Sequence, residues 1–190
     1  PYVTGIDEVL VTHKAVAPIQ DITALSAHSV FVRPSSSYHE SLLALNRRLP
    51  AQGLWPVKIV PADENLETED ILELVNSGAI ARTVCDSHIA AAWAEVLTDI
   101  RVLGDVTFRE GGDIAWAVRK TSPALKASLD RFAKKHQKGT RLGNILFERY
   151  YEQTTWIKNP LAGNPGKKLA AYAPLFKEYA AEYGFDWRLI

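Results

Sequence analysis

The 190-residue chain contains no methionine and a single cysteine, Cys85. One cysteine excludes an internal disulfide and every metal site built on paired cysteines. An excess of either charge is also missing. Twenty-two lysines and arginines balance 22 aspartates and glutamates, so no basic footprint marks a nucleic-acid partner. No stretch approaches the roughly 18 consecutive apolar residues of a membrane span, and no charged-then-apolar leader opens the chain. His13, His28, His39, His88 and His136 show no paired ligand spacing, which argues against a metal site. Ser36 lies in no G-x-S-x-G elbow, so a serine hydrolase has little support even though Asp86 and His88 exist. Without methionine and with proline first, the chain is expected to be a piece of a longer protein.

What is present is the balance of a globular protein, 47% apolar and 23% charged, at a length that can bury a core. Period and punctuation place a strand at Glu8 to His13, a short helix near Ile22 to Ser26 behind the cap Asp21, and a strand at Ser29 to Val32. A helix from about Tyr38 to Arg48 carries Leu42, Leu43 and Leu45 on its apolar side. A strand at Val57 to Val60 follows, then a short helix from Glu67 to Asn76 ended by Gly78. "IARTVCD" reads as a buried strand with Cys85 as an inert core thiol, and "SHIAAAWAEVL" as the next helix. This β-α-β-α-β-α order implies an α/β fold with a largely parallel, helix-covered sheet. Two extended runs are expected around Gly111-Gly112, followed by a helix from Ser122-Pro123 to about Lys135 and a helical "GTRLGNILFERYYEQ". Residues 159–168, "NPLAGNPGKK", read as a linker, and the aromatic helical stretch after it is too short to bury its own face.

The chemistry concentrates at strand ends. In "VRPSSSYHES" the pair Ser37 and Glu40 has the spacing of a capping box. Ser35 and Ser36 are then left over, at a strand-to-helix junction where backbone N–H groups and the helix dipole favour anions. A cap with spare serines and a cap that also binds an anion both fit, and Tyr38 would stand on the same rim. Asp86, at the carboxyl end of another strand, either caps the following helix or meets an ammonium group. Asp63 and Glu64 end a third strand and are either a solvated loop or part of that rim. Serines and an aspartate on one rim would suit a zwitterion such as an amino acid or peptide.

"YVTGIDEVLVTHK", "HSVFVRPSSSYHESLLALN", "VKIVPADENLETEDILELVNSGAIARTVCDSHIAAAW", "REGGDIAWAVRKTSPALKASLDRF" and "GNILFERYYEQTTWIKN" resemble, in that order, the second lobe of a type II periplasmic solute-binding domain. The version is similar to that of the membrane-bound lytic murein transglycosylase F family. The resemblance implies a periplasmic-binding-protein type II lobe, three-layer αβα with a mostly parallel sheet, plus hinge strands and C-terminal helices. Residues 1–158 would be the second lobe, hinge strands and returning helices, 159–168 a linker, and 169–190 the start of a truncated lysozyme-like transglycosylase domain.

In amino-acid-binding members of this fold, a first-lobe arginine grips the ligand carboxylate, a hydroxyl residue at a second-lobe helix start assists, and a second-lobe aspartate takes the amine. Carried over, Ser35, Ser36 and Ser37 match the hydroxyl position and Asp86 the amine position, while the arginine would lie outside the chain. The implied role is sensing a muropeptide or amino-acid-like ligand to regulate a peptidoglycan lytic transglycosylase. The implied location is the periplasm, with outer-membrane association through parts not in this chain. The family's glutamate works as acid and base in a non-hydrolytic cleavage that needs no metal or cofactor. Its E-S motif would fall beyond Ile190, so no catalytic residue is assigned. The competing expectation is a stand-alone amino-acid or peptide binding protein for transport or chemoreception. A LysR-type effector domain shares the fold, but the hinge sequences here do not resemble it.

Overall fold

The computed structural model describes residues 2–152 and 165–186, with side chains described outside 165–171. In chain order the regular elements are β1 (Val3–His13), β2 (Ser29–Val32), α1 (Ser37–Arg48), β3 (Lys58–Pro61), α2 (Thr68–Asn76), β4 (Arg82–Asp86), α3 (Ser87–Ala94), β5 (Ile100–Ile114), α4 (Pro123–His136), α5 (Arg141–Phe147) and α6 (Pro165–Tyr183). Single tighter turns occupy Ile22–Leu25 and Leu49–Gln52, and a wider one Glu148–Glu152.

β1 is the middle strand of the larger sheet, antiparallel to β4 on one side and to β5 on the other. β2 and β3 form a parallel pair, and the Thr83 hydroxyl of β4 donates to the Phe31 carbonyl of β2 at 2.8 Å. The architecture is α/β in three layers. Leu10 of β1 and Val84 of β4 pack on one face with Leu42, Leu45 and Leu49. Val9, Val11 and Cys85 pack on the other with Leu72, Val75 and Ala90 of α2 and α3. Neighbouring residues of a strand point to opposite faces, so Val9-Leu10-Val11 is buried on both. Strand directions differ from the mostly parallel sheet that was expected, because among the described residues the parallel ladder is confined to β2 and β3. A central strand covered on both faces carries the same unbroken apolar run in either direction, so hydropathy does not report its sense.

Three local differences matter. Leu43 is 41% exposed, so the apolar stripe of α1 is Leu42 and Leu45, continued by Leu49 in the turn that follows, at the i, i+3, i+7 spacing of one helix face. β5 runs through Gly111-Gly112 to Ile114 as one strand, with several register shifts against β1; the separate second run expected at 112–120 is not formed. Part of the expected linker, residues 159–164, lies outside the described residues, and residues 165–168 open α6. α2 begins with a reciprocal box, in which the Glu67 N–H donates to Asp70 Oδ2 at 2.7 Å. It ends at Gly78, whose φ of +76° is a conformation that suits a residue without Cβ.

Candidate functional site

The serine cluster is sorted by its hydrogen bonds. Ser36 is the N-cap of α1: its Oγ accepts from the His39 N–H at 3.3 Å and donates to the Arg33 carbonyl at 2.7 Å. The Ser37–Glu40 box is therefore not formed, since Ser37 is already the first helical residue. The Ser35 N–H donates to Glu64 at 3.0 Å and the Ser35 hydroxyl donates to the same carboxylate. Ser35 and Glu64 thus satisfy each other, and the anion on that serine is the chain's own. Asp63 is used locally, accepting from the Asn65 N–H and side-chain amide at 2.8 Å each. Arg33 pairs with Glu67 at 3.4 Å, tying the β2 exit to the start of α2.

Ser37 and Asp86 are brought together. Both line a hollow of about 260 Å³ with Ile6, Arg109, Gly112 and Asp113. Asp86 occupies the N-cap position of α3, yet its side chain makes no capping hydrogen bond, so its carboxylate is not consumed by the helix it precedes. Its own N–H donates to the Tyr38 hydroxyl at 3.3 Å. Tyr38 packs between the two large core clusters. It is a partly buried support for Asp86. Burial, with the Asp86 charge next, pushes its phenol well above the usual range.

The sequence reading missed the neighbours of Asp86 across the sheet. Glu8 of β1 is paired in register with Asp86 of β4 on one side and Arg109 of β5 on the other. Directly paired residues project from the same face, so the three charges form a row. Glu8 is 1% exposed, accepts from the Ser41 hydroxyl at 2.5 Å through Oε2, and faces Arg109 Nη2 at 3.4 Å through Oε1. Burial first, and the Glu8 charge second, raise the Asp86 carboxyl above its ordinary value, against lowering by Arg109 and the Tyr38 hydroxyl. The one available signal was Glu8 itself, a carboxylate opening an otherwise apolar strand.

The other candidates lie elsewhere. His88 rests 5.1 Å from the Tyr151 ring, in a separate apolar hollow with Phe147 and Tyr150, so it forms no triad with the serines. Cys85 is fully buried, and burial together with the charges of Asp86 and Glu69 pushes its thiol up. Among the described residues no three histidine, cysteine or carboxylate side chains converge as a metal site, and no helix is long and apolar enough to cross a membrane.

No family model matches the chain. Among curated proteins it is 28% identical, over all of its length and 40% of the relative's, to membrane-bound lytic murein transglycosylase F of Desulfosudis oleivorans. It is 24% identical to the protein of that name in Alcanivorax borkumensis, over 98% of this chain and 39% of that one. The chain thus spans about 40% of the length of these relatives. Among solved structures, a putative ABC-transporter binding component from Wolinella succinogenes complexed with lysine matches with TM-score 0.62 and 18% identity, over 82% of this chain and 63% of that one. An amino-acid ABC-transporter substrate-binding protein of Streptococcus pneumoniae bound to L-arginine matches with TM-score 0.60 and 20% identity, over 81% and 60%. Along its whole length the chain is homologous to proteins named membrane-bound lytic murein transglycosylase F, and its fold is that of the type II periplasmic amino-acid-binding proteins.

Proposed function

We propose that this chain is the ligand-sensing part of a peptidoglycan lytic transglycosylase, and that it takes an amino-acid-like or muropeptide zwitterion with the ammonium group on Asp86. The observation that carries this reading is the Asp86 carboxylate. It sits where α3 would use it as a cap, is not so used, and opens into a hollow with the Ser37 hydroxyl. An ionised carboxylate in a partly desolvated hollow is a strong partner for an ammonium ion. Ser37, at the first turn of α1, contributes a hydroxyl beside the positive end of that helix dipole.

In this reading, residues 1–158 are a second lobe with hinge strands and returning helices, and residues 169–190 begin a catalytic domain whose glutamate lies further on. Leu125, Phe132 and Ile145 are exposed on α4 and α5, which supports helices that return to a first lobe. The parent would work in the periplasm at the outer membrane, cleaving glycan to anhydro products. A single lobe lacks half of the clamp, so affinity is expected to be low, in the millimolar range at about −4 kcal/mol.

The test is an NMR titration of the chain with L-arginine and with the stem tripeptide L-alanyl-γ-D-glutamyl-diaminopimelate. Shifts should concentrate at Ser37, Asp86 and Gly112, and Asp86→Asn should weaken binding by about tenfold or more. Unchanged affinity in Asp86→Asn would sink the assignment. An E-S motif encoded soon after Ile190 supports the transglycosylase, and a stop codon there supports a stand-alone binding protein.

A further inference from the structure

The resemblance to amino-acid-binding proteins puts the carboxylate-gripping arginine in a lobe outside this chain, but the hollow beside Asp86 contains an arginine of its own. The side chain of Arg109 is half exposed and lines the hollow, whereas its partner Glu8 is almost completely buried beneath. Their ion pair is long, at 3.4 Å. Glu8 Oε1 accepts no hydrogen bond among the described residues. A guanidinium engaged with a carboxylate makes forked hydrogen bonds of about 2.7–2.9 Å; this contact is charge attraction without the fork.

The backbone explains why the head group lies there. β5 shifts register against β1 between Ile6 and Val9, the Gly111 N–H donates to Asp7 Oδ1 at 2.8 Å, and Gly111 has a φ of +63°. At Gly112 a Cβ would meet Arg109 Nη2 at 3.3 Å and the Ile6 carbonyl at 3.0 Å. The glycine therefore lets the guanidinium lie along the strand, with Glu8 on one side and the hollow on the other. Pairing in register through Glu8 leaves Asp86 and Arg109 flanking it on one face, about 9–10 Å apart at Cα by two strand spacings. The long side chain of Arg109 closes much of that gap, leaving opposite charges on one hollow.

We infer that Arg109 holds the anionic group of the ligand, so that this chain by itself carries both poles of a zwitterion site, Asp86 for the ammonium and Arg109 with Ser37 for the carboxylate. This rests on the proposed ligand-sensing function. Glu8 acts as a positioning residue: its buried charge keeps the guanidinium at the mouth of the hollow and its long contact leaves the forked donors for a ligand carboxylate, the geometry that arginine matches best.

The test compares each acid with its C-terminal amide on wild type and on variants. L-arginine is set against L-argininamide and the stem tripeptide against its amide, all by NMR titration. The wild-type chain should bind the acid about tenfold more tightly than the amide. Arg109→Gln should erase that difference by weakening the acid alone, and Arg109→Lys should restore part of it. Arg109→Gln leaves Glu8 buried and unpaired, so the paired variant Glu8→Gln/Arg109→Gln repeats the measurement without that burden. Equal losses for acid and amide, or none for either, overturn the role of Arg109 while leaving the Asp86 assignment standing. Failure of the wild-type chain to bind any of the four probes overturns both.

Discussion

At the scale of single residues, Asp86 combines a cost in stability with a use in binding. Burial and the neighbouring Glu8 charge raise its carboxyl, so the fold favours the protonated form more than the unfolded chain does. A carboxyl shifted in this direction contributes stability that is present below its unfolded pKa and is lost as pH rises through the folded pKa. Binding an ammonium group requires the opposite, an ionised carboxylate. Affinity for an amine ligand is therefore expected to fall on acidification through the raised pKa. Asp86→Asn is expected to melt higher than wild type at neutral pH. With the group only partly buried, screening holds that gain to about 0.5 kcal/mol, or about 1–2 °C. Thermal melts and titrations across the acid range check both halves; a lower melting temperature for Asp86→Asn, or binding that strengthens on acidification, contradicts the account.

At the scale of elements, the start of α1 shows how a local signal can be right in kind and displaced by one position. Two serines compete for the cap. Ser37 has Glu40 three residues on, the stronger sequence signature, and Ser36 has only His39. One local and one tertiary contact go with the choice of Ser36: the Arg33 carbonyl, three residues back, receives its hydroxyl, and Glu64, far along the chain, takes Ser35. Ser36→Ala is thus expected to cost about 1 kcal/mol of stability. Ser37→Ala should stay within about 0.5 kcal/mol while weakening ligand binding. Urea unfolding of the two variants separates them, and a larger loss for Ser37→Ala would restore the capping box. Within β5 the same lesson concerns glycine. Gly111-Gly112 reads as a break between two extended runs, yet the strand continues through the pair with a shifted register, because β1 supplies ladder partners on both sides of it.

At the scale of the whole molecule, the fully buried members of the three clusters among the described residues fall between Val9 and Val106, with Phe108 packed against them. α4 contributes no buried side chain, and Ala180 is the buried side chain described on α6. Stability in such a chain resides in the sheet and the helices that cover it, with the later helices opening at lower cost. Ending the chain after Glu152 is therefore expected to preserve a cooperative urea transition and to change stability by no more than about 1 kcal/mol. Loss of cooperativity on that truncation would show that the segment after Glu152, α6 included, holds the core together.

The order of strands and helices as far as β5, the burial of the sheet on both faces and the place of Asp86 at the end of β4 were legible in the sequence, because periodicity and punctuation act over a few residues. Resemblance then supplied the fold family. Strand direction was not legible, since a strand covered on both faces looks alike either way. The division of labour among the three serines was not legible either, because Glu64 and Arg33 settle it. Least legible was the row Asp86–Glu8–Arg109. Its members come from three separate stretches of the chain, and only the antiparallel pairing of β1 with β4 and β5 puts them side by side. Local spacing of side chains along the chain dictates which segments bury apolar surface. The tertiary structure alone decided which charges meet, because cross-strand register joins residues that no local pattern connects.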